Sequence, residues 1–139
     1  MMRIDPSSVG HVALVAGGDS AERSISLKGA DAVAQALTRL GVNFSRVDGA
    51  RALVDQVGAG HFDRVFNLLH GRGGEDGALQ GALRLYGVPM TGSGMLASAL
   101  TMSKVQTKRV WQATGLPTPA FRTLNRATCQ DSAGRVDDQ

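Results

Sequence analysis

The sequence predicts an α/β fold: a small parallel sheet flanked by helices. Three observations lead there. Short branched apolar runs, HVALVA at 11–16 and RVFNLL at 64–69, stop abruptly at glycine-rich loops, as buried parallel strands do. Amphipathic segments with apolar residues three and four apart follow those loops. Strand and helix then alternate at a spacing that suits right-handed crossovers.

The first strand, 11–16, ends at Gly17-Gly18. After GGDSAER, residues Leu27, Ala30, Val33, Leu37 and Leu40 fall at helical spacing, and Gly41 stands where a helix C-terminus favours glycine. A second strand is expected at 42–47 and a short helix at 50–57. The third strand, 64–69, runs directly into His70 and the loop GRGGEDG. A helix over 78–86 comes next, with Leu79, Leu83 and Tyr86 on one face. Asp76 is placed to cap its start and Gly87 to end it. Residues 88–91 are expected as a short fourth strand. From Ser93 the pattern changes to consecutive helices, 95–102 and 104–113, with Ser103 as a cap between them and Gly115 plus LPTP closing the second. Beyond Phe121 no period is visible. These patterns divide the chain into an α/β domain over 1–92 and the start of another domain over 93–139.

The 139 residues suit one ordinary domain and little more. A chain that is 42% hydrophobic and 19% charged is not a disordered one. Aromatics are only 4%, so the core must be built from Ala, Leu and Val. No apolar run approaches the roughly 18 residues of a membrane span, and MMRIDPSSVG carries no apolar stretch resembling a signal peptide. Cys129 is alone and cannot close an internal disulfide, which fits a reducing compartment. A soluble cytoplasmic protein without membrane contact is expected. Net charge is +3, and it is concentrated: 103–126 holds Lys104, Lys108, Arg109, Arg122 and Arg126 without one acid. Such a stretch meets nucleic acid or nucleotide phosphates, or forms a solvated helix face. Trp111 is its only aromatic apart from Phe121, so nucleic acid is not the expected partner.

Ligands of open parallel sheets bind beyond the carboxyl ends of the strands. Two loops occupy such places. In the first, Gly17-Gly18 allows close backbone approach, and Glu22 sits at the start of the helix that follows; it is either a ligand contact or a plain capping carboxylate. The second, His70-Gly71-Arg72-Gly73-Gly74-Glu75-Asp76-Gly77, is neither a GxGxxG fingerprint nor a P-loop. His70 points toward the binding edge, and its alternative is a purely structural histidine. Four glycines in eight residues cost folding entropy with no packing gain of their own. Glu75 is expected to close the loop. Lys104 and Lys108 share a helix face, suited to a phosphate or simply to solvent.

AGGDSAERSISLKGA, HGRGGEDGALQG and PMTGSGMLASALTMSKVQTKRVWQATGLPTP, in this order from about residue 12 to 119, closely resemble the D-alanine–D-alanine ligases of bacterial cell-wall synthesis. The resemblance implies a Rossmann-like, pre-ATP-grasp sheet domain followed by the helical start of an ATP-grasp domain, left incomplete at residue 139. It also implies an enzyme using ATP and Mg²⁺ to join two D-alanines through an acyl phosphate. In that family the glutamate matching Glu22 binds the ammonium of the first D-alanine, the histidine matching His70 lies beside its carboxylate, and the lysine matching Lys104 contacts ATP phosphates. Gly73 and Gly74 shape the loop beside the substrate. No metal ligand is assigned here: the Mg²⁺ ligands and most ATP contacts belong to later family domains, so these 139 residues alone are expected to be inactive. The family commonly dimerises through its sheet domain. Ser24, Met90 and Ser103 depart from the family's usual glutamate, tyrosine and aspartate. D-lactate or D-serine as second substrate, and a non-catalytic α/β binding or interaction module, are the alternatives; a flavodoxin-like or dinucleotide-binding domain lacks its glycine fingerprint.

Overall fold

The computed structural model describes residues 5–124. The elements are β1 (Val12–Ala16), α1 (Arg23–Leu40), β2 (Phe44–Asp48), α2 (Ala50–Gly58), β3 (Arg64–Asn67), α3 (Ala78–Leu85), α4 (Met95–Met102) and α5 (Lys104–Ala113), preceded by a 3-10 turn at Pro6–Val9. Asp5 accepts from the Ser7 N–H to start that turn, with Pro6 supplying a preset φ.

The sheet is parallel with order β2-β1-β3. Its central strand is buried at every residue, which is why β1 reads as an unbroken apolar run rather than an alternating one. Val12 aligns with Phe44 on one side and Arg64 on the other. Two layers cover it. On one face Ala13, Val15 and Val65 pack with Leu53 and Val57 of α2 and with Leu79 and Leu83 of α3; on the other, Leu14 and Ala16 pack with Ala30 and Ala34 of α1.

Two expectations change here. The fourth strand reduces to one bridge, Met90 beside Val65, with Val65 N–H donating to Pro89 C=O and Thr91 N–H donating to Val65 C=O. The next ladder bond is diverted, since the Asn67 N–H donates to the Thr91 hydroxyl instead of a backbone carbonyl. Met90 still packs against the core, so a thioether fills its place acceptably. The buried line of α1 is Ser26, Ala30 and Ala34, leaving Leu27 and Leu40 exposed. Small residues let this helix lie close on the sheet.

Gly41 ends α1 with φ 70° as expected. Asp76 acts from just outside α3: Gly77 is the N-cap, and Asp76 Oδ1 accepts from the Ala78 N–H. The chain divides into two compact units, Met1–Ser103 and Lys104–Gln139. Within the first, α4 packs on α3. In the second, Gly115 at φ 74° follows the end of α5, and Lys108 draws 118–121 back on the helix by donating to Thr118 Oγ1 and Pro119 C=O and lying over the Phe121 ring. No helix among the described residues is long and apolar enough to cross a membrane.

Candidate functional site

Because β1 and β3 are parallel neighbours, the loops that follow them emerge side by side at the carboxyl edge of the sheet. Gly17 and Gly18 turn the chain out of β1 at φ 75° and 72°. A β-carbon on Gly17 would collide with the Asp48 carboxylate, so glycine is required on two counts. Three polar groups then hold the turn. The fully buried Ser26 hydroxyl accepts from the Gly17 N–H at 2.8 Å and donates to Leu68 C=O at 2.6 Å, tying the ends of β1 and β3 together. Asp48, at the end of β2, accepts from the Gly18 N–H at 2.9 Å. Arg23 donates to both oxygens of Asp48 and to Gly18 C=O. The Arg23 guanidinium, helped by the Gly18 N–H, lowers the Asp48 carboxyl to about 2.

The second loop is organised by its own acids, as expected of Glu75 and Asp76. Glu75 Oε2 accepts from the Gly71 N–H at 2.7 Å, and Asp76 Oδ2 accepts from the Gly73 N–H at 2.9 Å. The Gly73 and Ala78 N–H groups hold the Asp76 carboxyl below its ordinary range. Gly73 has φ 82°, and a β-carbon on Gly74 would overlap Leu69. The Gly74 carbonyl accepts from Asn67 Nδ2 at 3.0 Å and from Gln80 Nε2 at 2.9 Å.

Glu22 is the N-cap of α1, yet its side chain makes no capping hydrogen bond. The plain capping role is therefore not the one adopted. Its carboxylate lies instead across the gap between the loops: a β-carbon on Gly71 would stand 3.4 Å from Glu22 Oε2. His70 begins the second loop with Nδ1 3.6 Å from Glu75 Oε1. One cleft of about 320 Å³ beside His70 is lined with Asn67, Glu75, Gln80 and Thr91; another of about 220 Å³ lies between the 17–20 turn and Gly73-Gly74. Glu22, His70, Gly73 and Gly74 thus gather at one edge of the first unit. Lys104 is exposed at the start of α5 in the second unit, while Lys108 is taken up by Thr118, Pro119 and Phe121. Among the described residues no group of three or more His, Cys, Asp or Glu is placed to hold a metal ion.

Sequence reasoning missed Ser26, the Arg23–Asp48 pair, Asn67 and Gln80. Small residues at 26, 30 and 34 were the available signal for Ser26; the others are long-range pairings with no local signature.

Residues 42–93 match the family model described as D-ala D-ala ligase N-terminus. Over 130 residues the chain is 49% identical to a D-alanine–D-alanine ligase of Stutzerimonas stutzeri, a match covering 93% of this chain and 41% of that relative. It is 52% identical over 119 residues to one from Methylococcus capsulatus, covering 86% and 38%. The crystal structure of the Aeromonas hydrophila D-alanine–D-alanine ligase superposes with a TM-score of 0.73 at 30% identity, covering 88% of this chain and 54% of that one. That of the Bacillus anthracis ligase complexed with ATP gives 0.71 at 26% identity, covering 87% and 44%. By sequence and by fold, the chain is similar to the N-terminal part of D-alanine–D-alanine ligases. It spans about two fifths of the length of the curated relatives it matches. The family match at 42–93 contains the His70 loop, and the longer alignments take in most of the chain.

Proposed function

We propose that this chain supplies the first-substrate face of an ATP-dependent ligase that joins two D-alanines for peptidoglycan precursors. The supporting observation is the uncommitted Glu22 carboxylate, held against Gly71 at the mouth of the His70 loop. A carboxylate there receives an ammonium. His70, with Nδ1 3.6 Å from Glu75 Oε1, stands on the same edge to meet the substrate's carboxylate, beside the Gly73-Gly74 turn. Lys104 provides one point charge for an ATP phosphate. The chain's part is placement: it fixes a small zwitterion so that its carboxylate reacts in one orientation. ATP supplies the phosphoryl group. Proposed with this reading are a cytoplasmic location and a homodimer through the sheet domain.

In a full-length ligase carrying this segment, Glu22→Gln is expected to raise KM for the first D-alanine roughly 10- to 100-fold, the effect of losing one charge-assisted contact. An unchanged KM would remove Glu22 from the site. The 139 residues alone, given D-alanine, ATP and Mg²⁺, are expected to release no ADP and form no dipeptide.

A further inference from the structure

Two arginines border one cleft from different elements. Arg51 stands in the first turn of α2, Arg72 in the loop after β3, and both line the cavity of about 220 Å³ beside Gly18 and Gly73. Both are exposed, and neither forms an ion pair or hydrogen bond among the described residues, whereas Arg23 and Arg46 each hold a carboxylate. Of the nearby acids, Asp76 is held by the Gly73 and Ala78 N–H groups while feeling Arg72 at longer range, and Asp19 is a carboxylate of the cleft wall whose charge the two arginines outweigh. Asp55 lies one turn after Arg51 without pairing to it. A cation in the first turn of a helix opposes the helix dipole, and α2 has neither an acid there nor a side-chain cap at Gly49 to offset it. Two guanidiniums against one carboxylate leave the cleft net cationic, and their planar donor forks match the several oxygens of a phosphate better than the two of a carboxylate.

We propose that the Arg51–Arg72 cleft binds a phosphate group, as the free dianion or as a phosphomonoester. The cleft is also lined by His70, Gly73 and Gly74, so it borders the proposed substrate edge, but its two anchoring arginines have no part in the ligase reading. It therefore goes beyond the ligase reading and does not depend on it.

The test is amide NMR on the ¹⁵N-labelled 139-residue chain, titrated at constant ionic strength with inorganic phosphate, glycerol phosphate, acetate and D-alanine in separate arms. Saturating shifts with phosphate at 17–20, 50–51 and 71–74 are expected, weakened about 10-fold or more in Arg51→Gln and in Arg72→Gln. Where a glutamine variant loses the folded spectrum, Arg51→Lys or Arg72→Lys replaces it, with weaker binding expected from loss of the planar fork. Glycerol phosphate binding as tightly as phosphate supports the monoester form, and weaker binding supports the free dianion. Acetate saturating the same amides as tightly would overturn the assignment, as would non-saturating shifts or shifts that both variants retain. D-alanine shifts around Glu22 that persist in Arg51→Gln support the ligase reading independently. Phosphate shifts without any D-alanine shifts would count against that reading and leave the cleft proposal standing.

Discussion

Ser26 offers its hydroxyl to two strand ends at once, accepting from Gly17 and donating to Leu68 in a fully buried position. Ser26→Ala leaves a buried N–H and a part-buried carbonyl without this partner, so a loss of about 1–3 kcal/mol is expected in urea unfolding. A loss below about 0.3 kcal/mol would mean that water replaces the hydroxyl. Gly74 is constrained by space: a β-carbon meets Leu69 side chain and backbone together, and Gly74→Ala should cost about 1–3 kcal/mol through overpacking. Glu22, His70 and the loop glycines were legible as candidates because their spacing from apolar runs is local. Ser26 was not, because a serine on a helix shows its role only when the strand ends it joins are known.

Among the elements, α2 and α3 share one face of the sheet, and Leu53 and Leu83 are the large side chains fully enclosed there. Leu53→Ala should cost about 2–5 kcal/mol. Leu40, at 64% exposure, should tolerate alanine within about 0.5 kcal/mol, although helical spacing placed it with the apolar residues of α1. Denaturation of the two variants side by side separates the periodicity from the packing. Helix ends and strand positions were readable to within a residue or two, since glycine punctuates them: Gly41 and Gly115 both close helices at positive φ. The fourth strand was over-read. Its apolar residues belong to the core, but Pro89 has no N–H and the Thr91 hydroxyl intercepts the next ladder bond, so only a bridge forms.

For the molecule as a whole, the strand-end tie between Arg23 and Asp48 makes stability depend on pH at the acid end. Asp48 gives up its proton more readily folded, at about 2, than at its ordinary 3.8. As pH falls the unfolded chain takes up this proton first. The contribution is therefore complete above about pH 4 and is lost as pH approaches 2. The pair is solvent-exposed, so the effect is small. Asp48→Asn should flatten that part of the acid-unfolding curve followed by circular dichroism, and an unaltered curve would show that the pair adds nothing. Periodicity, glycine punctuation and contiguous motifs are local properties of a chain, so the α/β class, the order of the elements, the two loops and the resemblance to the ligases were legible in the sequence. Tertiary structure alone decided that α1 lies on the sheet through Ser26, Ala30 and Ala34, that Arg23 reaches Asp48, that Lys108 is committed while Arg51 and Arg72 are not, and that Glu22 faces Gly71. Each of these depends on residues brought together from distant segments or loops, and such distances are set only when parallel strands align and their ends meet.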